Sequence, residues 1–139
     1  MSDIPAALFC DELIAAYPNA KIILTTRDED RWFKSMKATI WHLYESRRAI
    51  VATGIPSRLS QLQHEHIWGG DPDNFGRAKY REHNAHVRKI APKERFLEYQ
   101  VQQGWEPLCA FLEREIPEVG YPRADDWKEY KQKHAVDKW

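Results

Sequence analysis

The spacing of apolar positions changes several times along the chain, and each change predicts an element. Residues 21–25, Lys-Ile-Ile-Leu-Thr, form a short β-branched run of the kind buried on both faces in a parallel sheet. A helix must follow almost at once. Thr26 and Glu29 have the spacing of a capping box, and Asp28 is a rival N-cap. Trp32, Met36, Ile40, Leu43 and Ile50 then recur at helical spacing, with Trp41 and Tyr44 widening the face, which predicts a long helix over 28–52. Upstream, Pro5 favours an extended start for residues 1–5, and Leu8, Phe9, Leu13 and Ala16 predict a helix over 6–17.

Downstream, Gly54 and Pro56 punctuate the chain before a shorter helix at 57–68 carrying Leu59, Leu62, His66 and Ile67. Residues 69–73 read as a loop, with Asp73 capping a helix over 74–90 that Pro92 closes. Phe96, Leu97, Tyr99 and Val101 mark a second strand within 95–101. Gly104 precedes another helix through Leu108, Phe111 and Leu112, and residues 126–130 suit a last exposed helix. The sum is a helix-rich α/β chain, one domain over 1–139, with about two parallel strands. Two strands are not stable alone unless helices cover them or another chain completes the sheet, so self-association as a homodimer is expected.

Composition adds exclusions. The formal net charge of zero gives no bulk attraction to nucleic acid or an anionic membrane. No apolar stretch approaches the length of a membrane span, and no signal pattern opens the chain. Cys10 and Cys109 both lie in helical patterns and read as buried thiols, which with the other features points to a cytoplasmic protein. The six tryptophans are many for 139 residues and suggest a core, pocket or interface built on large rings.

Arg27 stands at the carboxyl end of the first predicted strand and the amino end of a helix, where open α/β sheets bind anions. Ser35 follows by eight residues, two helical turns on. A guanidinium and a hydroxyl so placed are able to share one phosphate, although Asp28, Glu29 and Asp30 would repel it. Read blandly, the same residues are a strand-to-helix corner with a surface arginine. Five of the six histidines fall between 42 and 86, but none has a recognised metal-ligand spacing, so no metal is expected. His42 and His66, polar groups near tryptophans, are candidates for proton transfer, with core packing as the alternative.

Three segments together resemble the sulfotransferase-like P-loop proteins, especially their divergent, largely fungal small members. The first is residues 20–28, Ala-Lys-Ile-Ile-Leu-Thr-Thr-Arg-Asp, with Trp32 and Ser35. The second is His83-Asn84 with Val87, then Arg95-Phe96-Leu97-Glu98-Tyr99. The third and most specific is residues 104–112, Gly-Trp-Glu-Pro-Leu-Cys-Ala-Phe-Leu, followed by Pro117 and Tyr121-Pro122-Arg123. The resemblance implies a three-layer fold and roles for Arg27 and Ser35 on the 3′-phosphate of the donor nucleotide. It also implies a general base before the strand. The corresponding stretch here is Asp3-Ile4-Pro5, which makes Asp3 the candidate, a weaker base than histidine.

The likeness covers only the later two-thirds of such a domain. The family's first strand and its glycine-rich 5′-phosphate loop have no counterpart in the sequence. Residues 70–77 hold two glycines and Arg77 but also Pro72 and two aspartates, which disqualify them as a phosphate loop. The expectation is therefore a sulfotransferase-related protein that does not transfer sulfate by itself, needs no cofactor and retains residual binding of 3′-phosphoadenosine 5′-phosphate. A small aromatic or polyketide-like ligand is a further expectation. The alternatives are a cofactor-independent isomerase, cyclase or dehydratase using the aromatic and histidine residues, and a non-catalytic dimeric binding protein.

Overall fold

The computed structural model describes residues 1, 3–42, 44 and 55–122. The chain divides into two compact units, one built from Met1–Asp28 and Ala78–Gly120, the other containing Glu29–Arg77. The predicted helix at 126–130 and most of 43–54 lie outside the described residues.

The first unit is organised on two parallel strands, β1 (Ile22–Thr25) and β2 (Phe96–Tyr99), in the register Ile22 with Phe96 through Thr25 with Tyr99. The Thr26 amide donates to the Tyr99 carbonyl at 2.9 Å, carrying the ladder one step past β1. One face of the sheet presents Ile22, Leu24 and Phe96. Leu24 packs with Val87 of a long helix, α5 (Pro72–Ile90), with Ala91 just past its end, and with Cys10 of α2 (Cys10–Ala16). The other face carries Ile23, Thr25, Leu97 and Tyr99. Tyr99 is buried against the α6 helix (Trp105–Leu112) and its hydroxyl donates to the Gly104 carbonyl at 2.7 Å. Ile23 remains 37% exposed. The expectation of a strand buried on both faces is thus corrected. The alternation along β1 shows one covered and one open face, because α6 lies over β2.

The amino terminus also departs from expectation. Residues 1–5 are not extended: α1 runs Asp3–Leu8, and Phe9 breaks it from α2. Asp3 adopts φ +66°, which aspartate tolerates, and its Oδ1 accepts the Ile4 amide at 2.7 Å. Proline costs little in a first turn, where its missing N–H had no helical partner. The Arg95 guanidinium ties this segment to the strands by donating to the carbonyls of Ile14, Tyr17 and Ala20.

In the second unit α3 (Glu29–Met36) passes into a π-helical segment at Lys37–Trp41, where the Thr39 hydroxyl bonds the Ser35 carbonyl at 2.7 Å. The helix opens at Glu29, so Asp28 takes the N-cap position of the two sequence alternatives. The Thr26 hydroxyl instead donates to Glu98 at 3.3 Å. A further helix, α4, spans Ile55–Trp68. The cap of α5 is likewise corrected: Asp71, not Asp73, accepts the Asn74 amide at 3.1 Å, with Pro72 as the first helical residue. Asp73 pairs with Lys37 at 2.8 Å. Gly76 and Arg77 are therefore helical, in agreement with their dismissal as a phosphate loop.

Trp41 is 4% exposed and lies at the centre of a ring cluster. It meets Trp32, Phe33 and Trp68 at centroid distances of 5.9, 5.4 and 5.5 Å, all edge to face. A Cβ on Gly76 would fall 2.7 Å from the Trp41 ring, so this helical glycine is what lets the indole approach. Arg77 stacks over Phe33 at 4.2 Å while pairing with Glu29 and Asp30.

Candidate functional site

Thr26, Arg27 and Asp28 leave the carboxyl end of β1, and Glu98 and Gln100 leave β2 beside them. Across from them, α5 presents Tyr80, Arg81, Asn84, Ala85 and Arg88. Together these residues line an open cleft of about 440 Å³, a volume within the range of small-ligand sites. All of it lies in the first unit.

Local chemistry explains how the cleft is held. The Tyr80 hydroxyl accepts the Arg27 amide at 3.1 Å and donates to the Arg27 carbonyl at 2.8 Å. One phenol thus pins both polar groups of the Arg27 backbone. Among the described residues, no hydrogen bond or ion pair engages the Arg27 guanidinium, which is exposed. Arg88 behaves differently. Its Nε and one terminal nitrogen each meet a Glu98 carboxylate oxygen at 2.7 Å, a bidentate pair. Those bonds, more than any other cause, hold the Glu98 carboxyl below its usual range, and Arg88 is correspondingly raised. Glu98 is thus a poor proton acceptor near neutrality and serves to fix the wall. The lining counts three guanidinium groups against two carboxylates, a cationic balance.

Asn84 is 5% exposed and lines the same cleft. No described residue is hydrogen-bonded to its side-chain amide.

The predicted site residues fall as follows. Arg27 is in the cleft. Ser35 is half-buried on α3 and belongs to the second unit. Asp3 is exposed, with its carboxylate on the Ile4 amide. His42 and His66 are both exposed. The histidine buried in the aromatic unit is His64, 7% exposed and stacked on Tyr44 at 4.0 Å. Its Nε2 lies 3.2 Å from the Gly70 carbonyl, which only accepts, so that nitrogen carries the proton. A thiol, a carboxylate and an imidazole also converge in the first unit: Cys10, Asp11 and His86 place ligand atoms within 4.8 Å of one another. The His86–Asp11 pair, at 2.7 Å, depresses the Asp11 carboxyl. Burial, followed by the neighbouring Asp11, pushes the Cys10 thiol up.

Tyr80, Asn84, Arg88 and Glu98 received no role from the sequence. The first three had a signal, since spacing by four places them on one face of a helix. Glu98 had none.

A parallel pair whose carboxyl ends open onto a cationic cleft is the arrangement of an open α/β protein. The chain belongs to the sulfotransferase domain family, whose model matches residues 1–130. It is similar to Ava biosynthesis cluster protein M of Aspergillus versicolor, at 34% identity over 138 residues, covering 88% of this chain and 52% of that protein. The chain thus spans about half the length of that curated relative. Among the described residues no helix is long and apolar enough to cross a membrane.

Proposed function

We propose that this chain forms the nucleotide-gripping part of a sulfotransferase-related protein of secondary metabolism, and that its 139 residues alone do not transfer sulfate. The cleft at the ends of β1 and β2 takes the 3′-phosphate of 3′-phosphoadenosine 5′-phosphate on Arg27. The observation that carries this reading is the Arg27 guanidinium, unengaged by any described residue where strand and helix ends attract anions. The donor set fits such a ligand: a rigidly held backbone, a cationic lining and an amide with spare hydrogen-bonding capacity. When bound, the family's sulfated nucleotide supplies the transferable group; Arg27 binds and orients its other end. The biosynthetic setting rests on the description of the Aspergillus relative.

Calorimetry with 3′-phosphoadenosine 5′-phosphate tests this. Binding to the native chain is expected, weakened about 10- to 100-fold by Arg27→Ala, the worth of a charge-assisted hydrogen bond. Absence of heat from the native protein overturns the phosphate site, and sulfate transfer by the purified chain overturns the loss of activity.

A second reading is favoured by one observation. The Trp41 indole N–H is buried with no hydrogen-bond partner among the described residues. A small aromatic or polyketide-like molecule offering an acceptor would satisfy it, with cofactor-free chemistry assigned to His42 and His66. Quenching of tryptophan fluorescence by such compounds tests this reading. Homodimerisation through the open side of β1, where Ile23 is exposed, completes the proposal, and light scattering showing a stable monomer removes it.

A further inference from the structure

The Cys10 thiol, the Asp11 carboxylate and the His86 imidazole meet in the first unit, and none of the three lines the cleft that holds Arg27. Oδ2 of Asp11 is their common point: His86 Nε2 lies 2.7 Å from it and Cys10 Sγ 3.5 Å. His86 with Asp11 is by itself an ordinary exposed ion pair. The thiol is what that pair leaves unexplained. Cys10 borders the apolar cluster of Leu24, Val87 and Ala91, and a cysteine kept there for packing alone needs no carboxylate. Its sulfur nevertheless turns to Asp11.

Thiolate, imidazole and carboxylate are the groups that bind zinc, at about 2.3 Å from sulfur and about 2.0–2.2 Å from nitrogen or oxygen. Tetrahedral angles then set the ligand atoms about 3.4–3.6 Å apart. The sulfur–oxygen separation already has this value. The nitrogen–oxygen contact is shorter by about 0.7 Å, as it must be while a proton rather than a metal bridges the two. Asp11 and His86 are both exposed, so side-chain rotation alone is enough to open that contact. Magnesium and calcium favour oxygen ligands and copper(I) favours sulfur, so the mixed set selects zinc. The exposed rim leaves the fourth position to water. His86 is 75 residues from Asp11, which is why no ligand spacing shows in the sequence.

We propose that Cys10, Asp11 and His86 form a zinc site that clips α2 to α5. On binding, the thiol loses its proton to solvent and His86 keeps its remaining proton on Nδ1, which leaves the Nε2 lone pair for the metal. The clip fastens the amino-terminal segment to the helix that forms one wall of the cleft. It stands independently of the phosphate site at Arg27.

The test uses the full chain, stripped with a chelator, and zinc, cobalt(II) and magnesium as probes. One zinc ion per chain should bind without competition from magnesium. The Tm should rise with zinc concentration, because the ion binds the folded arrangement and not the separated ligands. Cobalt(II) in the site should show thiolate-to-metal charge-transfer absorption, which Cys10→Ser abolishes and Cys109→Ala keeps. Asp11→Asn and His86→Gln should each weaken zinc by more than the roughly tenfold that loss of even an outer partner costs. Their metal-free Tm should fall little, since the pair they break is exposed. A pair that serves only as a salt bridge would give no zinc-dependent rise in the native Tm, and that result overturns the proposal. A zinc ion whose affinity is unchanged in Cys10→Ser and His86→Gln overturns it too, by placing the metal on other side chains. So does magnesium binding as tightly as zinc.

Discussion

The strand unit and the ring unit place their polar side chains differently. In the ring unit His64 is packed and satisfied: Tyr44 covers its face and the Gly70 carbonyl accepts a hydrogen bond from its ring N–H. In the strand unit Asn84 lines the open cleft beside an arginine that no described residue engages, while the buried side-chain atom without a partner among the described residues is the Trp41 indole nitrogen of the ring unit. A satisfied buried polar group specifies a packing arrangement; a polar group on the wall of an open cleft stays available to solvent or a ligand. The ring unit therefore reads first as a packed cluster and the strand unit as a binding surface, although sequence alone pointed at least as strongly to the histidines among the tryptophans.

The largest expected effect tests the packed side of this contrast. Trp41→Ala removes the ring at the centre of the cluster and should cost about 3–5 kcal/mol in chemical denaturation. A loss under 1 kcal/mol would mean that the ring cluster is loosely held. Gly76→Ala is next. In an ordinary helix this exchange is worth about 1 kcal/mol of gain. Here the new Cβ would lie 2.7 Å from the Trp41 ring, so a net loss of about 1–3 kcal/mol is expected. A more stable variant would show that the indole moves aside freely.

Two smaller effects sharpen the binding side. Tyr80→Phe removes the hydroxyl that clamps Arg27 from both sides and should weaken nucleotide binding by a factor of about 5–10, equivalent to one net hydrogen bond. Unchanged affinity would show that Arg27 needs no backbone anchor. The smallest effect is in pH. Glu98 has its folded value depressed, chiefly by Arg88, so its contribution is present above the ordinary carboxylate range and is lost as pH falls through that lower value. His83 is depressed by burial and then by His86, so its contribution is present above about 6.5 and lost as pH falls through its lower folded value. Stability of Glu98→Gln against pH should show a smaller acid step than the native chain, since Asp11, Asp71 and Glu113 are depressed as well, while keeping the one nearer neutrality.

Much of the scaffold was legible in the residues. The Ile-Ile-Leu and Phe-Leu runs gave both strands, and Gly104 marked the start of the helix beyond β2. Errors gathered at helix starts, where several acids competed for one cap. Asp71 and Asp73 are both good caps, and only the position of Pro72 and the partner Lys37 separate them. His64 and His66 are as similar in composition as two sites can be. Their difference of two residues turns one inward and leaves the other exposed.

By itself the sequence determined the periodic features: strand and helix order, the parallel pairing of two runs some seventy residues apart, and an arginine at a strand end. These follow from side-chain direction and backbone preference, which act over a few neighbours. Only the tertiary structure decided which charges cancel. With 21 basic and 21 acidic side chains, nothing local says that Glu98 belongs to Arg88, or that Arg27 and Asn84 are left unpaired by the described residues. Such pairings depend on separations of a few ångström between distant segments, because Coulombic and hydrogen-bonding terms fall off over that distance and burial sets their strength.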